Sequence, residues 1–121
     1  MGGEVQFIGV VESVAGDESI IQIYPEYVAG IFRLEEYSQL WILYWFHERD
    51  DSHHRSVLKV VPRRHGATEP CGVFASHSPS RPNPIGLTMV DLLKIDENRL
   101  TVRGLDALKR SPVIEIKPCN I

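Results

Sequence analysis

Between Gly72 and Leu87 the chain reads Gly-Val-Phe-Ala-Ser-His-Ser-Pro-Ser-Arg-Pro-Asn-Pro-Ile-Gly-Leu, with prolines at 79, 82 and 84 and another just upstream at 70. A proline fixes φ near −65°, lacks an N–H donor and drives the residue before it out of helical conformation. Ser78, Arg81 and Asn83 each precede a proline, so each is held extended or in a turn. The run therefore excludes a helix and an inner strand. Strand-like residues flank it on both sides, Val73-Phe74-Ala75 before and Ile85 to Ile95 after. A stiff polar loop that carries His77, Ser78, Arg81 and Asn83 on a strand framework reads as a preformed binding surface.

A chain of 121 residues, 43% apolar and 24% charged, suits one soluble domain with a real core, here taken as 1–121. The longest apolar block, Gln39 to Phe46, is less than half the ~20 residues of a membrane helix. The opening Met1-Gly-Gly-Glu-Val has neither the basic flank nor the apolar run of a signal peptide. Cys71 and Cys119 fit no ligand spacing, and a reduced, cytoplasmic protein without membrane contact is expected. The net charge of −3 at first argues against nucleic acid. Its distribution says otherwise. From Ser52 to Pro82, Arg55, Lys59, Arg63, Arg64 and Arg81 face one carboxylate, Glu69, for a local charge of +4; the remainder carries −7. Four histidines share that window. A basic face on an acidic body suits a polyanion that touches one side.

Alternation and turn residues predict strands over Val5–Val14, Ser19–Tyr24, Gln39–Phe46, Ser56–Val61, Gly72–Ser76, Ile85–Asp96, Arg99–Arg103 and Val113–Lys117, with a helical turn near Leu34–Tyr37. Gln39–Phe46 is apolar nearly throughout and reads as buried on both faces. Glu48–Arg55 reads as a polar loop. Leu100 and Val102, and Ile114 and Ile116, are expected to point inward. Along Ile85–Asp96 the odd-numbered residues share one face. About seven short strands with minor helix imply an all-β barrel or sandwich, and closure into a barrel would remove exposed edges.

Other chemistries find little support. Adjacent His53 and His54 on a strand would point apart, and no paired Cys or His-x-Glu accompanies them, so no metal is expected. Cys71 and His77 lack a nucleophile elbow around them. No Gly-x-Gly-x-x-Gly or Walker loop occurs, and strand–helix alternation is absent, so a nucleoside would need a non-Rossmann holder. His47-Glu48, at the end of the apolar strand, could bind a ligand's amine or hydroxyls. Gly104 to Pro112 forms a second loop in which Asp106 is a candidate base or a turn-stabilising residue.

Several blocks together are specific. Gly72-Val-Phe-Ala-Ser76 and Ser80-Arg-Pro-Asn-Pro-Ile-Gly-Leu87 are joined by Tyr37-Ser-Gln-Leu-Trp-Ile-Leu43, Phe46-His47, Val61-Pro-Arg63, Gly104-Leu-Asp106, Ser111-Pro-Val113 and Ile116-Lys-Pro118. In content and order they resemble the TsaA-like (TrmO/YaeB) family. The resemblance implies a single-sheeted, antiparallel or mixed β-barrel, usually a homodimer with its cofactor near the subunit contact. It also implies an S-adenosylmethionine-dependent methyltransferase that acts on N6 of threonylcarbamoyladenosine next to the tRNA anticodon.

Carried onto this sequence, the resemblance implies cofactor contacts from His47, Glu48, Phe74, His77, Arg81, Asn83 and Leu87. Arg110, Ser111 and Pro112 complete that set. Tyr44, Phe46 and Phe74 are candidates for an aromatic wall beside the sulfonium. Asp106 is the expected catalytic base, with Glu48 in reserve. Lys59, Arg63, Arg64 and Arg81 are expected on RNA phosphates. The sequence departs from the family pattern at four places. Val14–Ser19 joins the first two strands directly, without an early Pro-Arg-Gln loop. His77 replaces an arginine, Glu48 a glutamine, and Lys109-Arg110-Ser111-Pro112 an Asp-Gly-Thr-Pro. With Ile121 as its last residue, the sequence is expected to lack the C-terminal domain of longer bacterial members. The alternatives are a non-catalytic S-adenosylmethionine-binding sensor or partner module, and a methyltransferase for a small molecule.

Overall fold

A computed structural model of the chain describes residues 2–63 and 66–119. In chain order the strands are β1 (Gly9–Ala15), β2 (Glu18–Ile23), β3 (Gln39–Trp45), β4 (Lys59–Val60), β5 (Cys71–Gly72), β6 (Ile85–Asp96), β7 (Arg99–Arg103) and β8 (Pro112–Pro118). Six of them form a closed barrel in the order β1-β2-β7-β6-β3-β8, every pairing antiparallel; β4 and β5 make a separate two-stranded ribbon. The seven or so strands expected are thus six barrel strands and a ribbon.

Two tight turns fix the register. Gly16-Asp17 joins β1 to β2, with Gly16 at φ 64° and Ala15 opposite Glu18. Glu97-Asn98 joins β6 to β7, with Asp96 opposite Arg99; the Asn98 side chain donates to the Ile23 carbonyl. Twelve-residue β6 serves two neighbours in turn, β3 along Ile85–Asp91 and β7 from Asp91 onward, with a bulge between Leu92 and Lys94. Strands that close a small barrel bend at such bulges.

The interior is Val11, Ile21, Ile23, Leu40, Ile42, Tyr44, Val90, Leu100, Val102 and Val113. Leu100 and Val102 point inward as the alternation of β7 predicts. Three expectations are corrected. β3 is not buried on both faces: Leu40, Ile42 and Tyr44 face the core, while Trp41 on the outer face is 38% exposed. The odd-numbered residues of β6 do not share one face throughout: Leu87 and Met89 are exposed while Gly86 and Val90 point in, but past the bulge between Leu92 and Lys94 the odd-numbered Ile95 packs against the core. In β8 it is Val113 and Ile116 that reach the core, because a register shift opposite Leu43 and Tyr44 leaves two residues between them instead of one; Ile114 is half-buried and outside the core cluster.

Short elements replace some predicted strands. Val5 to Ile8 precedes β1 rather than belonging to it. Ser56–Val61 narrows to β4, and Gly72–Ser76 becomes the end of β5 followed by a 3-10 turn over Val73–Ala75. The polar segment after β3 holds a 3-10 turn, His47–Arg49, and one α-helical turn, α1 (Ser52–Arg55), capped by Asp51. Pro25 opens a further 3-10 segment to Ile31, and Leu34–Glu36 is the helical turn expected near Leu34.

Candidate active site

An open cleft of about 1500 Å³ lies where β3 ends and β6 begins. Four chain segments enclose it: the end of β3 with its following turns, the ribbon and the Val73–Ala75 turn, the proline loop, and the loop between β7 and β8. The antiparallel pairing of Trp45 with Ile85 sets the first and third of these side by side.

The proline loop has no N–H at 79, 82 or 84 to enter a strand ladder. Side chains hold it instead. The Ser78 amide donates to Ser76 Oγ, and the Ser80 amide to Ser78 Oγ, each at 3.2 Å. Arg81 Nη1 donates to the carbonyls of Ser76 at 3.0 Å and Ser78 at 3.2 Å. From outside the loop, Arg49 Nη1 reaches Ser80 Oγ at 3.3 Å and Arg55 Nε reaches the Pro82 carbonyl at 2.9 Å. The Phe46 amide donates to the Pro84 carbonyl at 2.7 Å, and Pro84 itself is fully buried. The stiffness read from the prolines is thus completed by serine hydroxyls and arginine forks.

Gly86 explains the glycine that ends the motif. A Cβ there would lie 2.5 Å from Tyr44 Cε2 and 2.8 Å from Phe46 Cζ. Its absence lets the two rings meet edge to face, 5.5 Å between centroids. Tyr44 Oη then donates to the Asp106 carbonyl and accepts from Thr88 Oγ1 at 3.0 Å. Burial pushes the Tyr44 phenol above its ordinary range, so it stays a donor. This contact spans 62 residues and ties the β7–β8 loop to the barrel wall. The Asp106 side chain stays exposed on the cleft.

His47 presents the other notable group: its Nδ1 is buried and, among the described residues, has no hydrogen-bond partner. A buried imidazole nitrogen without a partner is costly unless something fills the place. Phe74 is 81% exposed on a turn anchored by buried Val73, whose amide donates to the Leu58 carbonyl.

The fold gathers most of the residues singled out in the sequence. His47, Glu48, Phe74, His77, Arg81 and Asn83 line the cleft, as do Leu87, Asp106, Ser111 and Arg63. It leaves others off. Arg110 and Pro112 are not on its walls; the Arg110 amide donates to the Val11 carbonyl and Pro112 pairs with Val10, so this segment closes the barrel against β1 and only Ser111 turns to the cleft. Lys59 is exposed on β4 but not on the cleft. Arg64 lies outside the described residues. Arg81 is committed through Nη1 to its own loop. The sequence reading missed Thr88, Arg49, His53 and His54. Asp51 before Ser-His-His was the available signal for the last two: an N-cap aspartate, its carboxylate accepting the His54 amide at 2.8 Å. Among the described residues no three His, Cys, Asp or Glu are grouped to hold a metal ion, and no helix is long and apolar enough to cross a membrane.

Comparison with known proteins agrees with this geometry. Residues 11–120 match the family described as the tRNA-methyltransferase O N-terminal domain. A probable S-adenosyl-L-methionine-binding protein of Methanothermobacter thermautotrophicus is 49% identical over 104 residues, covering 86% of this chain and 71% of that one. The tRNA (adenine(37)-N6)-methyltransferase of Mus musculus is 38% identical over 94 residues, covering 78% of this chain and 21% of that one. The crystal structure of TrmO from Pseudomonas aeruginosa superposes with a TM-score of 0.73 at 27% identity, over 99% of this chain and 57% of that one. The chain thus spans little more than half of the solved TrmO and about a fifth of the mouse enzyme. With a match over nearly its whole length and the proline loop, Gly86 and Asp106 at one cleft, the chain belongs to the TrmO N-terminal-domain family.

Proposed function

We propose that the chain is an S-adenosyl-L-methionine-dependent methyltransferase that modifies N6 of threonylcarbamoyladenosine next to the tRNA anticodon. The observation that carries the reading is the convergence of Asp106, His47 and the proline loop on one cleft beside the Tyr44–Phe46 pair. Relatives named for S-adenosylmethionine binding and for tRNA adenine-N6 methylation support it.

The residues present suit the cofactor. The Nδ1 of His47, without a partner among the described residues, offers a buried hydrogen-bonding group to a nucleoside or an amino-acid head. Exposed Phe74 offers a face to a sulfonium or a purine. Glu48, His77, Asn83, Leu87 and Ser111 complete the contacts, with Arg81 holding the loop that presents them. When bound, S-adenosylmethionine would supply an electrophilic methyl group, whose bond to sulfur breaks as the bond to N6 forms, so that a neutral thioether leaves. The chain's own part is alignment and proton removal. Asp106 carboxylate takes the N6 proton as the nitrogen gains its fourth bond, and Glu48 is the reserve base. Tyr44 holds the Asp106 backbone still while this happens. Arg63 and Lys59, both exposed, meet the RNA phosphates.

The homodimer belongs to the same reading. Trp41, Leu87 and Met89 expose an apolar strip on the outer face of β3 and β6, where Trp41 pairs with Met89. Such a strip fits a second copy.

The test is methylation of tRNA that carries threonylcarbamoyladenosine, followed by digestion and mass spectrometry of the nucleosides. The expected result is one added methyl group on that nucleoside alone. Binding of S-adenosylmethionine without transfer to tRNA overturns the tRNA reading and leaves the small-molecule methyltransferase and the binding module, the latter favoured by the names of the archaeal relatives.

A further inference from the structure

We propose that Arg55 is the positioning residue that fixes the proline loop to the mouth of the barrel, acting through the Pro82 carbonyl rather than by touching RNA or cofactor. The sequence places Arg55 in the basic window, among groups suited to phosphate. The structure turns it elsewhere. Arg55 Nε donates to the Pro82 carbonyl at 2.9 Å, and Nη1 to Asp50 Oδ1 at 2.9 Å. Asp50 Oδ2 accepts Trp45 Nε1 at 3.2 Å, and the guanidinium lies 5.7 Å from the centroid of the Trp45 ring. Trp45 is the last residue of β3 and is paired with Ile85. A continuous path therefore runs from a barrel strand through Trp45, Asp50 and Arg55 to the middle of the loop.

The loop needs such a donor. Pro82 has only its carbonyl to offer, and it stands between Arg81 and Asn83, which both line the cleft. Arg81 bonds within the loop, so among the described residues Arg49 and Arg55 are the cations that join it to the β3 side, and Arg55 makes the shorter bond. The planar fork satisfies two acceptors while stacking on an indole; a lysine ammonium cannot do all three at once. Arg55 is absent from the cleft lining, which separates it from the residues proposed to touch ligand.

The proposal rests on the methyltransferase reading only for its effect on ligand affinity, and the experiment separates the two. Amide hydrogen exchange is compared in wild type, R55K and R55A, with S-adenosylmethionine titration and tRNA binding across salt. The Phe46 and Ile85 amides, bonded to the Pro84 and Asn83 carbonyls, report on the loop. Expected in R55A is exchange about tenfold faster at both, the scale of one lost charge-assisted hydrogen bond, with β2 and β7 amides unchanged. R55K follows R55A in direction, cofactor affinity falls by about tenfold in R55A, and the salt slope for tRNA is unaltered. Unchanged loop exchange in R55A overturns the proposal. So does a wild-type loop in R55K combined with a salt slope lowered by about one in R55A, the mark of a phosphate contact. Faster loop exchange in a protein whose wild type binds no S-adenosylmethionine upholds the brace and removes the cofactor reading of the cleft.

Discussion

The barrel and the cleft wall are held together by different means. In the barrel each of six strands has two main-chain partners, so its order follows from backbone pairing and a filled interior. In the cleft wall the prolines remove donors, and shape depends on a few side chains: Arg49, Arg55, Arg81 and Tyr44 on carbonyls and hydroxyls. The first arrangement tolerates surface change and fails when volume is lost. The second tolerates little change in its donors. A rigid frame thus carries a site whose geometry is tuned separately.

Variants that act on only one of the two regions test this contrast. The largest effect is expected on the cleft side. Asp106→Asn should lower methyl transfer by ~10²–10⁴-fold, the usual worth of a positioned base, with unchanged melting temperature and cofactor affinity. Turnover at the wild-type rate would take Asp106 out of the chemistry. On the barrel side, Ile42→Ala should cost ~2–5 kcal/mol in chemical denaturation, because Ile42 is fully buried among strands that cannot collapse onto the gap. Its effect on transfer, measured well below the melting point, should be small.

Gly86→Ala crosses the boundary. The added Cβ meets the Tyr44 and Phe46 rings, so a loss of ~1–3 kcal/mol is expected along with reduced activity, since Tyr44 also holds the Asp106 backbone. Activity loss without destabilisation would show that the two regions are coupled less tightly than the contacts imply. Tyr44→Phe keeps the ring and removes the hydroxyl. It should cost ~0.5–1.5 kcal/mol and lower kcat more than it raises KM for S-adenosylmethionine.

The smallest effect concerns acid. Arg103 holds the Asp91 carboxyl below its ordinary value, with help from Gln39, and the His54 amide does the same for Asp51. A depressed folded pKa gives stability that is present above the unfolded value near 3.8 and lost as pH falls through the folded one. Asp91→Asn should therefore flatten the acid limb of melting temperature against pH and leave neutral pH nearly unchanged, since both groups are exposed. An unaltered acid limb would mean that the pair contributes nothing.

The hairpins were legible because local chemistry writes them. Gly16-Asp17 and Glu97-Asn98 sit between alternating runs, and β2, β6 and β7 fall within a residue of the expected bounds. Strand count was less legible where pairing is short: Lys59–Val60 and Cys71–Gly72 have only each other. The inward or outward sense of a strand was the weakest reading. Trp41, Leu87 and Met89 are apolar but exposed, because periodicity gives two faces and does not say which is inside.

Composition, turn residues and the Arg-Pro-Asn-Pro-Ile-Gly run by themselves determined an all-β frame, a stiff loop and a family. The frame and the loop come from φ restriction and alternation, which act within a few residues; the family came separately, from the resemblance of several motif blocks in order. The tertiary structure alone decided that Arg55 turns to Pro82 and Tyr44 to Asp106, and that Arg110 closes the barrel while Ser111 faces the cleft. Each of these depends on residues far apart in the chain meeting as donor and acceptor, and spacing along the sequence carries no trace of such a meeting.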